Sequence, residues 1–285
     1  MNFDAVRTSQ LRKRKRRPGF RCERRDASEY RHRVLIPEAM YINSLRFPFG
    51  ARSRDFELSL LWIMQSAMPQ SSFTAYKIEQ GFISRKRLYP VTAFYGLFSG
   101  AVGILVCRSR HAMVGIPFYL LGIAVWTLLE YLFHRYVLHG RFPPGEGFVR
   151  RFLHERLDPL HWEHHKHPFN GAHISGKLSD LLPLFAIAAP MSFIFSVYTV
   201  PILLVGIIDG YLVEQWLHHA IHFCSFENGY FRAMKRYHLY HHSPRGMERG
   251  FGLSNWFWDI VFRTQFPPPV EDALFRRRNA SQLGQ

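Results

Sequence analysis

Eleven of the sixteen histidines in this 285-residue sequence lie in four short clusters, ten of them at positions predicted to bind metal, and imidazole is the commonest metal-binding side chain. The clusters read HRYVLH, HWEHH, HHAIH and HLYHH. Helical residues i, i+3 and i+4 share one face, so the last three spacings fit ligands that converge on a metal. The predicted ligands are His134, His139, His161, His164, His165, His218, His222, His238, His241 and His242.

Two metal ions are the natural count for this set, and the spacing of the first cluster is the reason. His134 and His139 are five residues apart, which places them about 140° apart on an ideal α-helix. We therefore expect that they serve different metals or straddle a helix end. Neutral imidazoles suit zinc, iron, copper or nickel, and the sequence contains no HExxH string of a zinc protease and no CxxC pair. The ligand type alone leaves the metal open.

Two carboxylates precede histidines at helical spacing: Glu130 lies four residues before His134, and Glu214 lies four residues before His218. Both fall inside apolar runs, where an ionisable side chain is costly unless it has a partner. We expect each carboxylate to accept an N–H from a metal-bound ring and to fix the tautomer of that ring. A carboxylate that reaches to the membrane surface is the alternative. Asp259 is also predicted to support the site.

Four runs with almost no charge predict an all-α integral membrane protein, with transmembrane helices at about residues 91–107, 112–133, 181–199 and 201–217. They form two hairpins that begin and end on the same side of the membrane. The excess of lysine and arginine outside the runs places that side, both termini and the histidine clusters in the cytoplasm. A soluble helical core is the structural alternative.

The formal net charge of +16 is typical of proteins that bind nucleic acid or an anionic membrane surface. The apolar runs favour the membrane, and the basic amino-terminal arm lacks the interleaved aromatic residues of a single-strand platform, so no nucleic-acid partner is expected. Four segments are predicted. They are a basic disordered arm (1–35), a mixed interfacial segment (36–89), a membrane domain (90–266) and a polar tail (267–285).

The four clusters, in this order and around two membrane hairpins, resemble the fatty acid hydroxylase and sterol desaturase superfamily. The resemblance covers roughly residues 90–266 and includes GFGLSNWFWDIVFRT, which follows the last cluster and is similar to the carboxy-terminal signature of that superfamily. EYLFHRYVLH and the 21-residue gap between His139 and His161 most resemble the fatty acid 2-hydroxylase branch.

The resemblance implies an oxidoreductase: four membrane helices with a cytosolic helical cap, and two iron ions held by the ten histidines. It implies O2 as co-substrate and hydroxylation of a lipid, foremost a fatty acyl chain. No cytochrome b5-like haem domain precedes the matched region, so we expect a separate electron donor, namely a cytochrome b5-like protein, a ferredoxin or a reductase. The expected location is the bacterial inner membrane or the endoplasmic reticulum.

Other functions are compatible with the same residues. A desaturase or a sterol or carotenoid hydroxylase of the same superfamily would use the same metal and oxygen chemistry, and histidine spacing does not separate them. A non-catalytic membrane protein that binds metal is the alternative from a different class. Analysis of the lipid product would discriminate among these functions, because each enzyme leaves a different product and the binding protein leaves none.

Overall fold

The computed structural model describes residues 70–140, 142–147, 150–151, 154–155 and 158–275. The predicted basic arm, residues 36–69 of the interfacial segment and residues 276–285 of the tail lie outside this range. Within it the regular structure is helical and no β-strand is present, which confirms the predicted class. The helices are α1 (Gln70–Cys107), α2 (Ala112–Leu132), a π-helix (Phe133–Leu138), α3 (Asp158–Lys166), α4 (Leu178–Ser192), α5 (Val200–Phe223), α6 (Gly229–His241), α7 (Phe257–Val261) and α8 (Pro268–Phe275).

Three helices, α1, α2 and α5, are long and apolar enough to cross a membrane, which supports a membrane protein. They include three of the four predicted spans. Helix α1 is much longer than the predicted span, because residues 70–89 continue the same helix at its amino-terminal end. Pro90 lies inside α1, and the Thr92 hydroxyl donates to the Leu88 carbonyl beside it at 2.9 Å.

The third predicted span, residues 181–199, differs in the structure. Helix α4 occupies this place, but it has 15 residues and ends at Ser192, two residues after Pro190. Turns then lead to Thr199, the residue before α5. A helix needs about 20 apolar residues to span the hydrocarbon of a bilayer, so α4 is too short by itself. The four-helix count therefore stays a prediction, while the helix bounds of this span were wrong.

Helices α2 and α5 pack closely because glycines meet at their contact. A Cβ atom on Gly122 would lie 2.9 Å from the Cα of Gly206 and would also collide with the Leu203 carbonyl oxygen. A Cβ on Gly206 would collide in turn with the Tyr119 carbonyl oxygen. Small residues allow such backbone approach between membrane helices. The two helices run in the same direction, so their carboxy-terminal ends lie together.

Helix α1 packs antiparallel against α5. Its last turns contribute Val102 and Val106 to an apolar cluster with Ile202 and Val205 near the start of α5. At the other end, the Cβ position of Gly81 in α1 contacts the ring of Phe223 at the end of α5. The three long helices thus form one layer, with the carboxy-terminal ends of α2 and α5 at the same end as the amino-terminal half of α1.

Asp209 joins the three long helices inside their apolar part. Its Oδ1 accepts a hydrogen bond from the Ser99 hydroxyl of α1 at 2.8 Å, and its Oδ2 accepts one from the Tyr119 hydroxyl of α2 at 3.1 Å. A carboxyl group in a membrane helix requires such partners. At 1.5 Å per residue, Asp209 lies about 13 Å along α5 from His218. Asp209 was not among the predicted site residues.

Candidate metal centre

The structure brings all ten predicted histidines together, and it divides them into two groups of five. In each group the ring nitrogens that could bind a metal lie within 4.8 Å of one another. Nine of the ten residues are buried, and His139 is half-buried. The first histidine group contains His134, His139, His161, His165 and His241. The second histidine group contains His164, His218, His222, His238 and His242.

His134 and His139 both belong to the first group, so the expectation that they serve different metals was wrong. The reason is the π-helix that continues α2: the His139 N–H donates to the His134 carbonyl at 3.0 Å, an i to i+5 hydrogen bond. The wider turn of a π-helix brings residues five apart onto one side. The alternative expectation, that the pair straddles a helix end, agrees with the π-helix ending at Leu138.

Helices α3 and α6 each supply histidines to both groups. His161 and His165 of α3 face the first group, and His164 between them faces the second. In the HLYHH cluster, His238 and His242 face the second group while His241 faces the first. The i, i+3, i+4 spacing therefore places these side chains on one helix face that lies between the two histidine groups. Helix α5 supplies His218 and His222, one turn apart, to the second group alone.

The Nε2 atoms point into each group and lie close together. In the first group, His161 Nε2 is 3.0 Å from His134 Nε2 and 3.1 Å from His139 Nε2. In the second group, His164 Nε2 is 3.0 Å from His218 Nε2. Two nitrogens at about 2.1 Å from one ion, with a right angle between them, are about 3.0 Å apart. The donor atoms therefore fit a six-coordinate or five-coordinate first-row metal ion in each group.

Backbone carbonyls fix the tautomer of two rings in the first group. The Nδ1–H of His134 donates to the Phe251 carbonyl, and the Nδ1–H of His241 donates to the Arg249 carbonyl at 2.7 Å. A carbonyl can only accept, so the proton is on Nδ1 and the Nε2 lone pair faces the centre. This arrangement is the usual support of a metal-bound histidine.

Glu130 does not accept from a histidine, contrary to the expectation. Its Oε1 accepts from the backbone N–H groups of Leu253 and Ser254 at 2.8 and 2.7 Å, and its Oε2 accepts from the Ser254 hydroxyl. The physical reason is that the Phe251 carbonyl already takes the Nδ1–H of His134. Glu130 therefore holds the chain segment that contacts the ring, and it does not hold the ring itself.

Asp259 and Glu214 also have partners other than histidine. Asp259 is fully buried, and its two oxygens accept from the N–H groups of Phe251 and Gly252, each at 2.9 Å. Among the described residues, the side-chain hydrogen bond of Glu214 comes from Gln215 at 2.8 Å. The predicted histidine partner of Glu214 was therefore wrong, whereas Asp259 supports the Phe251 backbone that holds His134.

Burial favours the neutral form of the clustered imidazoles that lie outside the long helices. Burial is the largest cause that lowers the pKa of seven of the ten histidines in the two groups, those outside the long helices, and the charge of neighbouring histidines lowers it further. A neutral ring offers its lone pair to a metal, whereas a protonated ring cannot. The affected residues are His139, His161, His164, His165, His238, His241 and His242.

This burial predicts that the metal-free protein loses stability as the pH falls below the ordinary histidine pKa of 6.5. The unfolded chain binds protons there while the folded chain does not, so each such histidine costs about 1.4 kcal/mol per pH unit. Thermal unfolding of chelator-treated protein between pH 7 and pH 5 measures this loss. A double change, His165→Asn with His242→Asn, should flatten the slope, and replacement of the exposed His111 should not. A flat profile for the unchanged protein would contradict the expectation.

The chain matches the fatty acid hydroxylase family over residues 119–264, which includes all ten histidines. It is 33% identical over 167 residues to the fatty acid 2-hydroxylase of Rattus norvegicus, covering 56% of this chain and 42% of the relative. It is 30% identical over 171 residues to the dihydroceramide fatty acyl 2-hydroxylase FAH1 of Arabidopsis thaliana, covering 56% of this chain and 68% of the relative.

A solved structure of full-length scs7p, in which only the hydroxylase domain is visible, is also similar. It is 26% identical, with a TM-score of 0.53 over 64% of this chain and 67% of that chain. The chain spans less than half the length of the rat relative. The matched part contains the whole of both histidine groups, so the similarity concerns the same residues that form the candidate centre.

Proposed function

Because this chain belongs to the fatty acid hydroxylase family, we propose that it is an O2-dependent hydroxylase of a lipid acyl chain, with two iron ions held by the two histidine groups. The observation that carries the proposal is the pair of closed five-imidazole groups at the ends of apolar helices. The names of the rat and Arabidopsis relatives, a fatty acid 2-hydroxylase and a dihydroceramide fatty acyl 2-hydroxylase, support an acyl chain as the substrate.

An all-imidazole donor set is compatible with iron. When bound, two iron ions supply the oxygen activation and one-electron chemistry that an unactivated C–H bond requires. The first group would hold one ion and the second group the other. Side-chain acids and bases alone have nothing to act upon at such a carbon, since it carries neither an acidic proton nor an electrophilic centre.

The protein itself excludes water and keeps the ligands neutral. The ring of Phe251 packs against those of His134, His139 and His241, at centroid distances of 5.8, 5.2 and 5.6 Å. On the second group, the ring of Phe169 lies 5.8 Å from that of His222. Apolar cover of this kind keeps solvent from competing for the centre and from reacting there. These aromatic rings therefore protect the site while the histidines hold it in position.

The position of the site suits a substrate that stays in the bilayer. His134 follows the carboxy-terminal end of α2, and His218 lies in the penultimate turn of α5. An acyl chain alongside these helices would reach the histidine groups where the apolar helices end. We place this end in the cytoplasm, as the charge distribution predicts, and there a separate electron donor would deliver electrons. The bacterial inner membrane and the endoplasmic reticulum both fit this arrangement.

Metal analysis combined with lipid mass spectrometry tests the proposal. Cells that express the unchanged protein should accumulate hydroxylated acyl chains, and the purified protein should hold about two irons. His164→Ala should reduce the hydroxylated lipid to background and lower bound iron, because the buried His164 Nε2 belongs to the second group. The exposed His111 lies far along the chain from both groups, so His111→Ala is the matched control and should keep product and iron.

Equal lipid profiles for the unchanged protein and His164→Ala would contradict the enzyme assignment and favour a metal-binding protein without catalysis. A new double bond in place of a hydroxyl group would favour the desaturase, and a hydroxylated ring would favour the sterol or carotenoid hydroxylase. Each outcome leaves a different mass in the lipid, so one measurement separates these functions.

A further inference from the structure

The two histidine groups differ in what supports their rings from outside. In the first group, His134 and His241 donate through Nδ1 to the carbonyls of Phe251 and Arg249. Both acceptors belong to residues 249–254, which we call the anchor loop. The second group has no contact of this kind to the anchor loop among the described residues. The support of the first group therefore depends on how firmly that loop is held.

Two buried carboxylates hold the anchor loop. Asp259 accepts from the N–H groups of Phe251 and Gly252, and Glu130 accepts from those of Leu253 and Ser254. Four consecutive amides are thus bound to carboxylates, which are strong acceptors for a backbone N–H. The peptide units on both sides of Phe251 are therefore fixed, and its carbonyl is held toward His134.

The anchor loop also requires glycine at position 252. A Cβ atom there would lie 2.9 Å from Asp259 Oδ2 and would collide with the Asn255 carbonyl oxygen. Asp259 is oriented in turn by the Thr264 hydroxyl, which donates to its Oδ1 at 2.7 Å and contacts the Tyr131 hydroxyl at 2.8 Å. The support thus extends from the α2 side chain Tyr131 to the Phe251 backbone.

The second group has less support of this kind within the described part of the chain. The Nδ1 atoms of His164, His222 and His238 are buried without a hydrogen-bond partner among the residues that the structure describes, and so is that of His242. The exception is His218, whose ring makes a hydrogen bond with the backbone of Ile174. In the first group, His165 is the ring with an unpartnered buried Nδ1. Among the described residues, four rings with a buried unpartnered Nδ1 thus lie in the second group and one lies in the first.

We propose that the two metal positions are unequal: the first histidine group binds its ion more tightly and fills first, and Asp259 is the positioning residue that makes it so. The inference rests on the proposed two-metal function. A ring whose Nδ1–H is accepted by a carbonyl is a more basic ligand in a fixed orientation, and loss of such support typically weakens metal binding about 10- to 100-fold. Rings without an acceptor lack that gain.

Anaerobic titration of the metal-free full-length protein with ferrous ion, in competition with a chelator of known affinity, tests the proposal. The unchanged protein should show two steps with dissociation constants at least about 10-fold apart. Asp259→Asn, which keeps the shape of the side chain, should weaken the tighter step about 10- to 100-fold and leave the weaker step unchanged. His134→Ala should remove the tighter step, and His222→Ala should remove the weaker one.

The controls separate positioning from general damage. Asp209→Asn changes another carboxylate that accepts two side-chain hydrogen bonds, about 13 Å along α5 from His218, and it should leave both steps unchanged. Thr264→Val removes the hydroxyl that orients Asp259 and should shift the tighter step in the same direction as Asp259→Asn. Thr264→Ser keeps the hydroxyl and should restore the unchanged affinity. If Asp259→Asn does not fold, the two histidine variants and the two Thr264 variants still test the proposal.

Two equal steps in the unchanged protein would overturn the proposal, and so would an Asp259→Asn effect of the same size on both steps. Loss of the tighter step in His222→Ala would also overturn it. The proposed function has its own contradicting outcomes: the protein binds no ferrous ion, or it binds two ions and yields no oxidised lipid. Unequal binding together with lipid hydroxylation supports both.

Discussion

Removal of metal from the purified protein is expected to lower its thermal unfolding midpoint by about 10 °C or more. Without an ion, ten buried or half-buried imidazoles remain with their Nε2 atoms facing one another, as at 3.0 Å between His139 and His241. Buried polar groups that face other acceptors are costly, and a bound ion satisfies all of them at once. Metal binding to such a site is therefore folding free energy.

Thermal unfolding in detergent, with and without a chelator at pH 7, measures this effect. Added ferrous or zinc ion should restore the midpoint, because both accept imidazole ligands. His164→Ala provides the internal comparison: it lacks one ligand of the second group and should lose less stability on chelation than the unchanged protein. A midpoint that moves by no more than a degree or two on chelation would show that the histidine groups hold no metal that matters to the fold.

Gly122→Leu is expected to prevent folding. The position of a Cβ at residue 122 lies against backbone atoms of α5, 2.9 Å from the Gly206 Cα, so no rotation of a side chain could relieve the collision. Overpacking normally costs about 1–3 kcal/mol, and displacement of a whole helix costs more. The π-helix that continues α2 carries His134 and α5 carries His218, one in each group, so separation of the helices would also pull the two groups apart.

The yield of monodisperse protein after size-exclusion chromatography in detergent measures this prediction. Gly100→Leu is the matched control, because Gly100 also lies in an apolar part of a long helix and a Cβ there meets nothing within 4 Å. The control should give normal yield and normal metal content. Normal yield and metal content for Gly122→Leu as well would mean that α2 and α5 do not pack in the way described.

The sequence was sufficient to predict which histidines come together, because clustered metal-binding residue types are a strong local signal. It was not sufficient to predict how they divide. The ideal-helix angle between His134 and His139 placed them apart, and only the π-helix reverses that. A single wide turn has no reliable sequence signature, since it depends on the packing that holds both helix ends.

The carboxylates show the same limit. Their spacing on the helix predicted histidine partners, but Glu130 contacts Leu253 and Ser254, more than 120 residues away in the chain. Contacts at that separation depend on tertiary structure, which periodicity does not contain. The wrong helix bounds predicted for residues 181–199 have a similar cause. The composition of this run resembles that of a membrane span, and yet the helix ends at Ser192. Composition predicts apolar surroundings better than it predicts where a helix stops.

The hydrogen bonds of Asp209 have a consequence for how the chain enters a membrane. Helix α5 carries both Asp209 and Glu214, so during synthesis it is the long helix that would partition least readily into lipid by itself. Ser99 and Tyr119 belong to α1 and α2, which are made earlier. Insertion of α5 is therefore expected to depend on helices that are already in place, and the order of synthesis becomes part of the assembly of the protein.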